Sequence, residues 1–376
     1  MQRQSLWQLA SPIVPLPPQP VPFAFPKSPR LLNVRPMPET NRSGWLHEKF
    51  PSGVPKLWCP LITPYDESGN IDQPRFAAHF THVATWAKGF LIPGSTGDGW
   101  ELNDGEANTL RRLAQSLTKK TRTHLLVGVL KSDAASAIEA IQTVAREIAP
   151  TDSFHEPGSA SCGFTICPPR GEGLTQAALE SALAEILELG FPMALYQLPQ
   201  MTRNEMSPAL VSSLAARFDN FFLFKDSSGT DRVALSESSL HAVVTLRGAE
   251  DDYARWLKPH GPYDGFLLST ANCFAKELSE IITAVGEGQP SVAAALSARL
   301  DGVVREVFAG VAQLPEGNAF ANANKSMDHF FAFGPNALNA RPPRLHAGSR
   351  IPVEVLRVAR DALFRHGFLP RKGYLE

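Results

Sequence analysis

FFLFKDSS, residues 221–228, runs four apolar side chains into a lysine and then a polar turn. A run this short and this apolar reads as a strand buried on both faces, as in parallel sheets. Similar runs recur along the chain: LWCPLI (57–62), GFLIP (89–93), HLLVGVL (124–130), GFTIC (163–167), PMALYQL (192–198), VVTLR (243–247) and GFLLS (265–269). Helical patterns separate them, near 74–88, 104–118, 133–148, 175–189, 208–218, 231–241, 251–258 and 271–285. Eight strand-then-helix units of this size predict an α/β fold of the (β/α)8 TIM-barrel type, with a doubly wound open sheet as the alternative. No G-x-G-x-x-G follows the first run, which argues against a dinucleotide site.

Outside the repeat the chain changes character. The first forty residues carry ten prolines, and proline removes a donor and fixes φ. Residues 1–50 are therefore expected to form an irregular Pro-rich arm, 51–288 the barrel, and 289–376 a helical C-terminal extension with helices near 290–311, 324–332 and 351–366. Of the 376 residues 43% are hydrophobic and 19% charged, with a net charge of -1, so no global field favours nucleic acid or an anionic membrane. No apolar run approaches the roughly 20 residues that span a bilayer. Cys59, Cys162, Cys167 and Cys273 form no C-x-x-C pair. Neither a disulfide framework nor a metal site is expected, and reduced thiols fit a cytoplasmic protein.

A barrel of this kind works at the C-terminal ends of its strands. Three runs end there in polar groups. The second ends in PGSTGDGWEL (93–102), whose glycines and hydroxyls suit an anion-binding nest for a carboxylate, a phosphate site, or an ordinary Gly-rich turn. The fifth ends in LYQLP (195–199), where Tyr196 shares a face with Ala194 and is either a core tyrosine or a proton donor and acceptor. The sixth ends in Lys225, which shares a face with Leu223 and Phe221 and so points inward. There it either snorkels to water or is held neutral, as a nucleophile that forms a Schiff base with a ketone.

Together these pieces resemble the dihydrodipicolinate synthase/N-acetylneuraminate lyase family of class I aldolases. ITPYDESGNID (62–72), GSTGDGWEL (94–102), LYQLP (195–199), FKDSSGT (224–230), RGAEDD (247–252) and LSTAN (268–272) carry the resemblance in order, over about 57–286. It implies Lys225 as imine former, Tyr196 as general acid and base, Ser95 and Thr96 as carboxylate binders, and Gly248 and Leu267 as pocket lining. It implies no cofactor, a small 2-oxo acid and an aldehyde as substrates, and a homodimer or homotetramer. The chain departs from the synthase branch at CPPRGEG (167–173), where that branch carries a tyrosine, and at YQLPQMTRNE (196–205), where Met201 stands near its arginine. These departures point away from lysine biosynthesis. Arg170 and Arg203 are candidates to read an acidic substrate tail, and Trp100 to wall a bulkier pocket.

The expectation is therefore a Schiff-base lyase, aldolase or hydro-lyase, acting on pyruvate or a related 2-oxo acid. The alternative is a non-catalytic sensor or scaffold that binds a 2-oxo acid. A Ser/His hydrolase is disfavoured, because no G-x-S-x-G elbow occurs.

Overall fold

The computed structural model describes residues 41–148, 154 and 159–376. Its elements run α1 (Arg42–Lys49), β1 (Leu57–Cys59), α2 (Gln73–Val83), β2 (Gly89–Ile92), α3 (Asp104–Thr121), β3 (His124–Val129) and α4 (Ala134–Ile148). They continue β4 (Ser161–Ile166), α5 (Gln176–Leu187), β5 (Met193–Gln197), α6 (Pro199–Thr202), α7 (Pro208–Arg217), β6 (Phe221–Asp226), β7 (Val244–Arg247) and β8 (Gly265–Leu267). Four helices close the chain: α8 (Ala271–Gly286), α9 (Pro290–Val311), α10 (Ala319–Phe333) and α11 (Val353–Arg365). The strands pair in parallel and in chain order, and β1 pairs with β8, so the sheet is a closed barrel. The runs apolar on both faces have two cores to fill, as expected for a (β/α)8 barrel.

The inner core is layered. Trp58, Leu91, Leu126, Ala194, Leu223, Leu246 and Leu267 fill the lower barrel. Gly89 is needed there: a Cβ on it would lie 2.0 Å from Trp58 Cδ2. The outer core lies between strands and helices and takes Phe90, Phe164, Phe224 and Phe266 among others. Phe221 belongs to this outer core, not to the inward face expected of it. A register shift between Met193 and Ala194 breaks the alternation of β6 below Leu223. Above the shift, Leu223 and Lys225 both face inward.

The arm expected to stay irregular through residue 50 does not: Arg42–Lys49 is helical, and residues 1–40 lie outside the described residues. Asn41 caps α1 by accepting from Gly44 N. Trp45 and Phe50 plug the bottom of the barrel, with Trp45 4.9 Å from Phe222 ring to ring. Buried Arg42 donates to the carbonyls of Ala215, Phe218, Phe221 and His241, closing the end of α7 and the start of β6.

Two expected helices are missing. Residues 231–241 form turns, and 251–258 holds only a 3-10 turn at Tyr253–Trp256. Serine hydroxyls in the first segment bond local backbone, Ser236 Oγ to Val233 O and Ser239 Oγ from His241 N, which competes with a helix. Asp231 takes a left-handed φ of 54° and grips Arg247 through both carboxylate oxygens. In the second segment Asp252 N donates to Asp301 Oδ1, and Ala254 N to Ser297 Oγ, so α9 covers that wall. Among the described residues no helix is long and apolar enough to cross a membrane.

Candidate active site

Lys225 leaves β6 directly beside Tyr196 of β5, its register partner. The lysine is 3% exposed, and its Nζ lies 3.8 Å from the centre of the Tyr196 ring. Among the described residues it has no ion-pair or hydrogen-bond partner. Burial drives its pKa down to about 7, against weaker opposite pulls from Cys167, Glu250 and Cys59. A desolvated ammonium without a counter-ion sheds its proton, and the lone pair becomes available. Gly248 of the β7 end must be glycine for the side chain to stand there: a Cβ would lie 2.0 Å from Ser227 Oγ and 2.8 Å from Lys225 Cε.

The Tyr196 phenol is pushed up, mostly by burial and further by Cys167, while a hydrogen bond with Ser227 opposes the shift. It therefore keeps its proton at neutral pH and is a donor. Ser227 lies two residues past Lys225 on the same face. Cys167, at the end of β4, packs with Tyr196, Leu130 and Leu198, and Trp100 and Met201 close over that cluster.

Ser95, Thr96, Tyr196, Leu198, Lys225, Ser227, Gly248, Ser269 and Phe320 line one small, partly open cavity. Ser95–Gly97 form one 3-10 turn whose carbonyls are tied down. Gly94 O accepts from Gly97 N and Gly99 N, Ser95 O from Asp98 N, and Gly97 O from Thr63 Oγ1. The Ser95 and Thr96 amides and hydroxyls have no protein partner among the described residues, which leaves up to four donors for an anion. Opposite them Ser269 donates to buried Glu250 at 2.6 Å, so its oxygen presents lone pairs to the cavity. Glu250 is raised by burial, while bonds from Ser269, Thr270 and Tyr253 hold it back.

Of the residues singled out in the sequence, Ser95, Thr96, Tyr196, Lys225 and Gly248 meet around one cavity. Leu267 does not: it sits one layer down, among Trp58, Leu223 and Leu246. Strand alternation carries Ser269 into the place Leu267 was expected to hold. Arg203 pairs with Glu172 at 3.2 Å in solvent, and Arg170 is half-buried on a loop; neither lines the cavity. Ser227 and Ser269 were legible as residues two beyond an inward-facing position. Phe320 was not, because it arrives from the C-terminal extension.

A parallel barrel whose mouth holds an unpaired amine, a phenol and a turn of free amides and hydroxyls defines a class of protein, and comparison with known sequences agrees. The dihydrodipicolinate synthetase family model matches residues 54–317, and the chain belongs to that family. It is 26% identical over 253 residues to a 4-hydroxy-tetrahydrodipicolinate synthase of Agrobacterium fabrum, covering 66% of this chain and 81% of that one. A protein of the same description from Azoarcus sp. is 27% identical over 262 residues, covering 68% and 83%. The fold matches YagE, a prophage protein of the dihydrodipicolinic acid synthase family from E. coli K12 solved with pyruvate, at a TM-score of 0.63 and 20% identity, over 83% of this chain and 98% of that one. It also matches dihydrodipicolinate synthase from Thermotoga maritima, at a TM-score of 0.67 and 15% identity, over 84% and 99%.

Proposed function

We propose that the protein is a lyase that forms a Schiff base between Lys225 and pyruvate or a related 2-oxo acid. The observation that carries this reading is a buried amine without a counter-ion, stacked on a phenol and facing unoccupied donors on the Ser95–Thr96 turn. The acid's carboxylate docks on those donors and places its ketone at Nζ. Nζ attacks the carbonyl carbon, and the carbonyl oxygen takes a proton to give a carbinolamine. Tyr196 delivers that proton and helps water leave, yielding the iminium. The iminium then accepts the electron pair of a breaking C–C bond as an enamine, while the hydroxyl on the departing carbon gives up its proton and leaves as an aldehyde; or it accepts the pair of an adjacent C–H bond, and the resulting enamine expels a hydroxyl that takes a proton and leaves as water. Proton transfer of this kind contributes on the order of 10²–10⁴-fold.

Pyruvate is the donor suggested by the family and by the ligand of the prophage relative. The second substrate is an aldehyde, and Ser227, Ser269 and Phe320 are the side chains that meet it. Assembly as a homodimer or homotetramer is part of the same reading, and light scattering tests it. Borohydride reduction with saturating pyruvate is the direct test of the chemistry. An adduct on Lys225 supports the reading, and an unmodified Lys225 refutes it. Calorimetric binding of 2-oxo acids with neither adduct nor aldehyde release would leave the sensor alternative.

A further inference from the structure

The carboxylate turn is held from outside the barrel by the C-terminal extension. Lys325, in the middle of α10, reaches Asp98 Oδ2 at 2.6 Å, and the two side chains are 3% and 4% exposed. Tyr65 donates its hydroxyl to the same oxygen at 2.9 Å. Asp98 itself sits in the left-handed region, at φ 61°, directly after the 3-10 turn. At the N-cap of the same helix, Asn318 Nδ2 donates to Ser95 O at 3.1 Å, and Phe320 contributes to the cavity wall. So α10 grips both ends of the four-residue turn and lines the cavity between them. A left-handed φ is uncommon, although aspartate adopts it more readily than most residues, and a fixed side chain adds support. Here that support is an ion pair buried almost completely, whose members are costly to separate.

We propose that Lys325 is a positioning residue for the 2-oxo acid: by holding Asp98 it keeps the amides and hydroxyls of Ser95 and Thr96 aimed at the substrate carboxylate. This rests on the imine reading of Lys225 given above. Lys325 does not touch the reacting atoms. Its effect belongs to recognition of the acid group and not to the reactivity of the amine.

The test compares borohydride trapping of pyruvate with that of methyl pyruvate, which keeps the ketone and loses the anion. Three proteins are used: the native chain, Lys325→Met, and the double variant Asp98→Asn with Lys325→Met. The double variant leaves no unpaired buried charge, so it folds even where the single one does not. The half-saturating concentration of pyruvate should rise about 10- to 100-fold, the scale of a reactant misplaced by an ångström. Trapping of methyl pyruvate should stay at the native level. Equal losses for both ketones, or no loss for either, would overturn the positioning role and leave the imine reading standing. A native protein that traps neither ketone removes the imine reading, and this inference with it.

Discussion

Two lysines are buried alike in this protein, each 3% exposed, and the fold treats them in opposite ways. Lys325, on the C-terminal extension, meets a carboxylate and a fixed geometry. Lys225, on the sixth strand, meets an aromatic face and no counter-ion. At Lys225 burial favours loss of the proton. The difference lies in what each ammonium meets, a carboxylate in one place and an aromatic face in the other. What decides is the partner supplied by the neighbouring element.

The comparison breaks first at Lys225. Lys225→Ala should abolish pyruvate trapping and turnover, a loss of about 10⁴-fold or more, since a nucleophile has no substitute. Tyr196→Phe should keep the adduct but slow its formation by about 10²–10⁴-fold, as measured by single-turnover trapping. Retention of the full rate would remove the phenol from the proton path. Gly248→Ala should cost about 10²-fold in rate by pushing on Lys225 Cε, and about 1–3 kcal/mol in stability by overpacking. Denaturant unfolding and trapping on the same sample separate these two effects.

The remaining predictions concern stability and pH. Trp45→Ala should destabilise the barrel by about 3–5 kcal/mol while the folded fraction still traps pyruvate. Lys225→Met should stabilise the protein by about 0.5–2 kcal/mol near neutral pH, the usual sign of a site held against its own comfort. The folded amine titrates at about 7 and the unfolded one near 10.5. Between those values the unfolded chain holds a proton that the folded chain has shed, so the Lys225 contribution makes stability rise with pH across that window. The cost is complete below it. Trapping rate should rise through pH 7 for the same reason, and the Lys225→Met chain should lose this part of the pH slope. A native protein with trapping flat from pH 6 to about 9 would mean that the amine is not neutralised by burial.

Much of this was legible before any coordinates. The eight short apolar runs are strands because a parallel barrel buries both faces, and the ends of each lie within three residues of their expected places. The three polar strand ends converge for the same reason: closure brings the C-terminal ends of β2, β5 and β6 around one mouth. The errors are equally physical. Phe221 was assigned by strict alternation and Leu267 by the family resemblance; a register shift flips the first, and the second lies one layer too low. The segment 231–241 has helical periodicity on paper, but Asp231 is drawn away by Arg247. The RSGWLHEKF stretch at 42–50 was read together with its Pro-rich neighbour, although only tertiary contact with Phe222 and His124 gives its aromatic residues a place.

Local pattern determined the order of strands, the barrel class and the identity of the amine, because burial on both faces and an interrupted apolar run are properties of a few consecutive residues. The tertiary structure decided which side chains surround that amine. Phe320, Ser269, Cys167 and the Lys325–Asp98 pair come from segments far apart in the chain, and their distances exist only once the barrel has closed and α10 has settled on its mouth. Charge state follows from the same placement. Whether a carboxylate stands within reach of a buried lysine depends on that placement, and no run of neighbours in sequence specifies it.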